Sequence, residues 1–167
     1  RVQAALTFRQ GVDYFTAQYG AENYHFVAMG DFNTVDSDNP HPFQSVIFDP
    51  SWSNVLYDAS YIYYSQGYKA DPQQMQNKMP PGTYYYGKDR QWNQLDHIFL
   101  SRNLLDNQGV DADQSSYRVL AADFMLTRYE DRKKNFCYDG VPFRYNHNES
   151  NPHAAGFSDH FPILLKI

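Results

Sequence analysis

The chain has 167 residues, 42% of them hydrophobic, and a formal net charge of −5. That length suits one domain, residues 1–167, whose core buries about two-thirds of the unfolded surface. The acidic balance argues against broad electrostatic binding to nucleic acid while leaving room for a local basic groove, no apolar run reaches a membrane span, and the single cysteine, Cys137, allows no intrachain disulfide. A packed or exposed thiol is a plainer assignment for Cys137 than a nucleophile. The 15 Tyr and 12 Phe can fill a core or line a pocket. Localisation is not legible, since the first residue is Arg1, no signal-peptide pattern follows, and there is no disulfide framework.

In chain order, Val2–Tyr19 reads as a helix. Val2, Leu6, Val12, Phe15 and Tyr19 fall near one face, with Phe8 off that stripe. Gly11 costs about 1 kcal/mol relative to Ala in a helix interior, and Gly20 is a natural stop. Residues 24–29 have the apolar, aromatic composition of an interior strand, which makes an αβ unit with the preceding helix. Gly30 permits a turn that other residues resist. Asp31 and Asn33 follow it, and continued extension would project both to the same side. They are equally good turn formers.

Residues 34–39 form a polar loop, in which solvated turns suit Asp36 and Asp38 better than a cation does. Pro40 and Pro42 frame a short helix over 43–48, and a second is expected over 52–60. Residues 61–64 are a strand or a substrate-facing loop, and 71–82 an exposed loop. Residues 83–86 and 92–100 form a hairpin around the turn 87–90. Asp96 lies within this otherwise apolar run. A charge there is costly unless paired, so it is either solvated at a sheet edge or a buried carboxylate that orients a histidine. Ser101 caps a helical turn at 102–105. Further on, 106–116 is a polar loop, 117–122 a strand, and 124–134 a helix ending in the basic trio Arg132, Lys133 and Lys134. Residues 135–156 are irregular, and their histidines, His147 and His153, fit no zinc spacing. A last strand follows Pro162.

Three motifs stand in order along the chain: Gly30-Asp31-Phe32-Asn33, Leu95-Asp96-His97-Ile98 and Ser158-Asp159-His160-Phe161-Pro162. Together they resemble the endonuclease/exonuclease/phosphatase superfamily, from the first helix to the final strand. The resemblance implies an α/β fold, a four-layer α/β sandwich of two mixed sheets flanked by helices. It also implies a set of roles. Asp31 matches the aspartate that activates the attacking water. Asn33 matches the asparagine beside it that contacts the phosphate or the water. Asp96 matches the carboxylate that hydrogen-bonds the catalytic histidine, His160, and Asp159 matches a metal-binding aspartate.

The chemistry agrees with these residue types. Phosphoester hydrolysis needs a positioned water, a base, and positive charge near the phosphoryl oxygens. Mg²⁺ or Mn²⁺ held by carboxylates such as Asp31 and Asp159 supplies that charge. A His160 protonated through its pairing with Asp96 donates a hydrogen bond to the phosphate. The family pattern also has an N-terminal half that carries the main metal-binding glutamate. No such segment is found here, so the chain is expected to supply about the C-terminal half of the domain, with the missing N-terminal half as its partner. The expected function is a metal-dependent hydrolase of a phosphoester substrate. A nonspecific DNA nuclease is less favoured by charge than a small phosphoester or lipid-headgroup hydrolase. A non-catalytic binding module that retains these residues is the alternative, and a structural domain with turn-forming polar residues is a third.

Overall fold

The computed structural model describes residues 1–62, 80–127, 140–152 and 154–167. Helix α1 spans Val2–Tyr19 and ends as expected at Gly20 (φ 84°), whose N–H donates to Thr16 O at 2.9 Å. The buried side of α1 differs from the expected stripe. Ala5 and Val12 are buried in the core, and Val2 and Phe8 pack against it, whereas Leu6, Phe15 and Tyr19 are exposed. The aromatic end of the helix associates with its own neighbours instead, with Phe15 and Tyr19 gathered around Tyr24. Phe8, off the stripe, lies within 6.1 Å, centroid to centroid, of Phe26, Phe32 and Phe99.

The central sheet has the order β1-β5-β2. Its strands are β1 (Val27–Asp31), β2 (Tyr57–Asp58) and β5 (Asp96–Leu100). β1 starts later and runs further than expected, and it lies at a sheet edge with Met29 68% exposed. The interior strand is β5, which carries Ile98, Phe99 and Leu100 at 2% exposure or less. Alternation along β5 feeds two cores. Phe99 joins Phe43, Ile47, Trp52 and the α1 residues on one face, while Ile98 and Leu100 join Leu104 and Tyr117 on the other. Each such buried side chain contributes about 1.5–3 kcal/mol.

A π-helical turn, Phe43–Ile47, covers the first face near the position expected for a short helix. The second face meets the pair β6 (Asp113–Val119) and β9 (Ile163–Lys166). The expected helix over 52–60 is replaced by β2 and a short helix α2, Ala59–Ile62. The long hairpin is also divided. β3 (Tyr84–Tyr86) pairs with β4 (Gln91–Asn93), and the chain then breaks at Gln94 and Leu95 before entering β5 of another sheet. β6 begins four residues before the expected strand. Leu126–Thr127 is strand β7, paired with β8 (Val141–Pro142), where a helix was expected. Ser101 does not cap the turn Arg102–Leu104, because its Oγ accepts from Phe26 N–H at 2.9 Å and its hydroxyl donates to Asn103 Oδ1.

Every strand pairing among the described residues is antiparallel. The fold is α/β, with α1 and the π-helical turn on one face of the central sheet and the β6–β9 pair, with α2, on the other. Tyr63 and Tyr64, the loop at 71–79, the basic trio, Cys137 and His153 lie outside the described residues. No helix among those described is long and apolar enough to cross a membrane.

Candidate active site

The first two motifs meet on β1 and β5, whose register sets Asp31 opposite Asp96. Directly opposed residues on antiparallel strands share a face, and like charges placed so repel. His160 answers one of them, with Nδ1 2.7 Å from Asp96 Oδ2. A carboxylate only accepts, so Nδ1 carries the proton and Nε2 is the atom left for other work. The imidazole packs against Tyr84, centroids 4.9 Å apart. Both partners are partly buried, their side chains 21% and 15% exposed, which protects the pair from full solvent screening. Asp96 is therefore paired with a histidine on an interior strand and is not a solvated edge residue.

Asn33 reaches the site by a different route from the one expected. Extension ends at Asp31, and Asn33 adopts φ 47°. Its backbone N–H donates to Asp31 Oδ1 at 2.7 Å. This is an Asx turn, the conformation that these residue types favour, and it lies at the end of β1 opposite Asp96. The turn fixes one oxygen of Asp31. Among the described residues Oδ2 has no hydrogen-bond partner.

Thr83 joins the third motif to the second. It is fully buried, at 0% exposure. Its Oγ1 accepts from the N–H groups of Leu95 and Asp96 at 3.2 and 3.3 Å, and its carbonyl accepts from Phe161 N–H at 2.8 Å. One residue thus spans the two segments that carry Asp96 and His160. The preceding Gly82 is required by space, since a Cβ there would lie 2.5 Å from Asn93 O. Thr83→Val keeps the shape and removes the acceptor, leaving two N–H groups at the β5 entry unpaired. The expected cost is about 1–3 kcal/mol, read as a lower urea midpoint. An unchanged midpoint would show that Thr83 does not brace the dyad.

Asp159 stands apart from this cluster. Its side chain is 48% exposed, and Oδ2 lies 3.7 Å from Arg144 Nη2. It lines a neighbouring cleft and makes no hydrogen bond to Asp31, Asp96 or His160 among the described residues. The structure therefore joins Asp96 to His160, sets Asp31 opposite Asp96 in register with the backbone of Asn33 turned onto it, and leaves Asp159 in a different environment.

The family model for the endonuclease/exonuclease/phosphatase family matches residues 1–167. The chain belongs to that family. No curated protein and no solved structure matches it.

Endonuclease/exonuclease/phosphatase family members are phosphoester hydrolases in general and typically depend on a divalent metal. Hard cations take oxygen donors. Among the described residues no group of three or more His, Cys, Asp or Glu is placed to hold an ion. Mg²⁺ is commonly bound through one or two carboxylates, with waters and substrate phosphate completing its shell. The unpartnered Oδ2 of Asp31 and the exposed carboxylate of Asp159 fit that kind of partial donor set.

A second aspartate–histidine pair in this family member went unread in the sequence. His97 Nδ1 lies 2.7 Å from Asp58 Oδ2, with side chains only 9% and 4% exposed. Ser60 Oγ is 2.6 Å from Asp58 Oδ1 and 2.9 Å from His97 Nδ1, and His97 Nε2 is 3.1 Å from Gln94 O. Ser60 and Asp58 share the same ring nitrogen, and the other nitrogen faces a carbonyl. No serine nucleophile with a free base results. Both ring nitrogens face acceptors, an arrangement satisfied in full by the doubly protonated ring. The signal that points to such a partner is alternation: with Asp96 turned to the site, His97 must point into the core. Nearby, Gln94 Nε2 donates to Asp96 O and to Tyr117 OH. Burial, then the charge of Asp58, pushes the Tyr117 phenol far above its usual value, so it stays neutral.

Proposed function

We propose that this protein is a metal-dependent hydrolase that cleaves a phosphoester bond by direct attack of an activated water. The Asp96–His160 hydrogen bond, set opposite Asp31 in register, carries the proposal. Asp31 takes the proton of the attacking water through its unpartnered oxygen. Asn33, held against Asp31 by the turn, presents its carboxamide to the water or the phosphate. His160, carrying both ring protons, donates from Nε2 to a phosphoryl oxygen, while Asp96 accepts from Nδ1–H, orients the ring and balances its charge. Asp159 and Asp31 would hold Mg²⁺ or Mn²⁺, which supplies positive charge near the phosphoryl oxygens.

The same proposal extends to architecture. The described layers belong to a four-layer sandwich, of which this chain forms the C-terminal part. Met29, exposed on the face that carries Asp31, supports a further covering layer. The substrate is a small or headgroup phosphoester in preference to a long nucleic acid, because a net charge of −5 repels a polyanion.

The test is a panel of phosphomonoesters and phosphodiesters with and without Mg²⁺, run beside Asp31→Asn. Turnover that requires the metal and falls about a hundredfold or more in the variant is expected. The variant's unfolding midpoint should not fall, since removing one of two opposed carboxylates relieves repulsion. Binding of phosphoesters with no turnover under any condition would instead mark a non-catalytic binding module.

A further inference from the structure

Beside the dyad lies a cleft of about 560 Å³. It is built from the β3–β4 hairpin on one side and the β7–β8 pair on the other, with Asp159 at its margin. In a chain with net charge −5, the described residues that line this cleft include two cations, Lys88 and Arg144, against one carboxylate, Asp159. Lys88 stands on the turn after β3 with no carboxylate within ion-pair distance among the described residues.

Arg144 is aimed. Its Nη2 donates to Tyr84 OH at 3.1 Å, and the guanidinium centre lies 5.7 Å from the Tyr84 ring centroid. The backbone behind it is pinned by Gly156 (φ 76°), where a Cβ would come within 2.2 Å of Arg144 O. The side chain is nonetheless 60% exposed. A guanidinium has five N–H donors in a fixed fork. With one edge engaged by Tyr84 and the distant Asp159, the remaining donors are free to take an oxyanion in the cleft. Tyr84 ties this arrangement to the chemistry, because the same ring rests on His160.

We propose that the cleft is an anion subsite, in which Lys88 and Arg144 bind a second anionic group, a carboxylate or phosphate, on the same small molecule as the scissile phosphoester. This rests on the hydrolase assignment above and specifies its substrate class. Two cations suffice for one oxyanion, whereas a polymer would need a longer basic track.

The test compares propyl 4-nitrophenyl phosphate with 2-carboxyethyl 4-nitrophenyl phosphate, which match in length and differ by one carboxylate. Wild type should favour the carboxylated ester about tenfold in kcat/KM, mainly through KM, as expected for a charge-assisted contact. In the Lys88→Gln/Arg144→Gln variant that ratio should collapse to about twofold or less. Equal rates on the two esters in wild type, a ratio unaltered by the double variant, or a preference shown only by polymeric DNA would overturn the subsite. Binding is read separately by NMR titration with methylenediphosphonate in metal-free buffer. Saturable shifts at Gly87, Lys88 and Arg144 that vanish in the double variant support it, and shifts confined to Asp96 and His160, or none, count against it. Shifts at the cleft with neither ester cleaved would uphold the anion site and reject the hydrolase.

Discussion

Asp96→Asn is expected to lower kcat by about a hundredfold or more while KM changes little, because the loss falls on proton placement and not on substrate contact. The physical reason lies at one atom. Asp96 Oδ2 accepts from His160 Nδ1–H at 2.7 Å, and its negative charge offsets the second ring proton that Nε2 needs to donate to the phosphate. A carboxamide carries no charge to offset that second proton, so the ring is left with one proton and cannot donate from both nitrogens. Steady-state kinetics on the best ester of the panel, with circular dichroism to verify the fold, measures it. Full turnover in the variant would remove the dyad from the mechanism. Asp96 lies in the cross-strand pair with Asp31, so both variants probe one cluster and their effects should be far from additive.

The second large effect concerns stability. Asp58→Asn should destabilise the protein by about 1–3 kcal/mol, because the carboxylate accepts from His97 Nδ1–H, the Ser60 N–H and the Ser60 hydroxyl on two oxygens, and a carboxamide keeps only one acceptor oxygen. For a domain of this size that is a fall of roughly 2–4 °C in Tm for each kcal/mol. The pair joins β2 to β5 across the central sheet, and His97 packs edge-on to Phe43, centroids 4.9 Å apart. Replacing both members with apolar groups, Asp58→Leu with His97→Phe, should restore much of the loss, as buried ion pairs exchanged for hydrophobic packing often do. Urea denaturation of both variants reads the result. A single variant as stable as wild type would mean that the pair does not hold β2 to β5.

The motif residues were legible because their chemistry is unusual in its setting. An aspartate inside an apolar strand such as β5 demands a partner, and only a few histidines were available to supply one. Periodicity likewise marked α1, whose bounds are those expected. It chose the wrong buried face, however. Large apolar residues such as Phe15 and Tyr19 carried the stripe, yet core access belonged to smaller Ala5 and to Phe8, which meets Phe99 across the sheet. Hydrophobicity records what a side chain prefers, and the position of the neighbouring sheet determines which preferences are met.

The break between β4 and β5 teaches the same lesson. Residues 92–100 read as one strand, since nothing local forbids extension through Gln94 and Leu95. The division comes from Thr83, which takes the N–H groups of Leu95 and Asp96 onto its side chain, and from the pairing of β5 with β1. Asp58, Ser60 and Thr83 left no trace in the sequence, as isolated hydroxyls and carboxylates are ordinary in polar segments.

Composition and local order alone were enough to place a helix, a strand-end Asp-Phe-Asn turn, and three acidic or histidine motifs awaiting partners. The family resemblance of the motifs already gave His160 to Asp96, whereas the partner of His97 was decided only by tertiary structure. Asp96 could have served His97, its neighbour in the chain, but adjacent residues on a strand point to opposite faces. That geometry gives His160 to Asp96 and leaves His97 to Asp58, from 39 positions away.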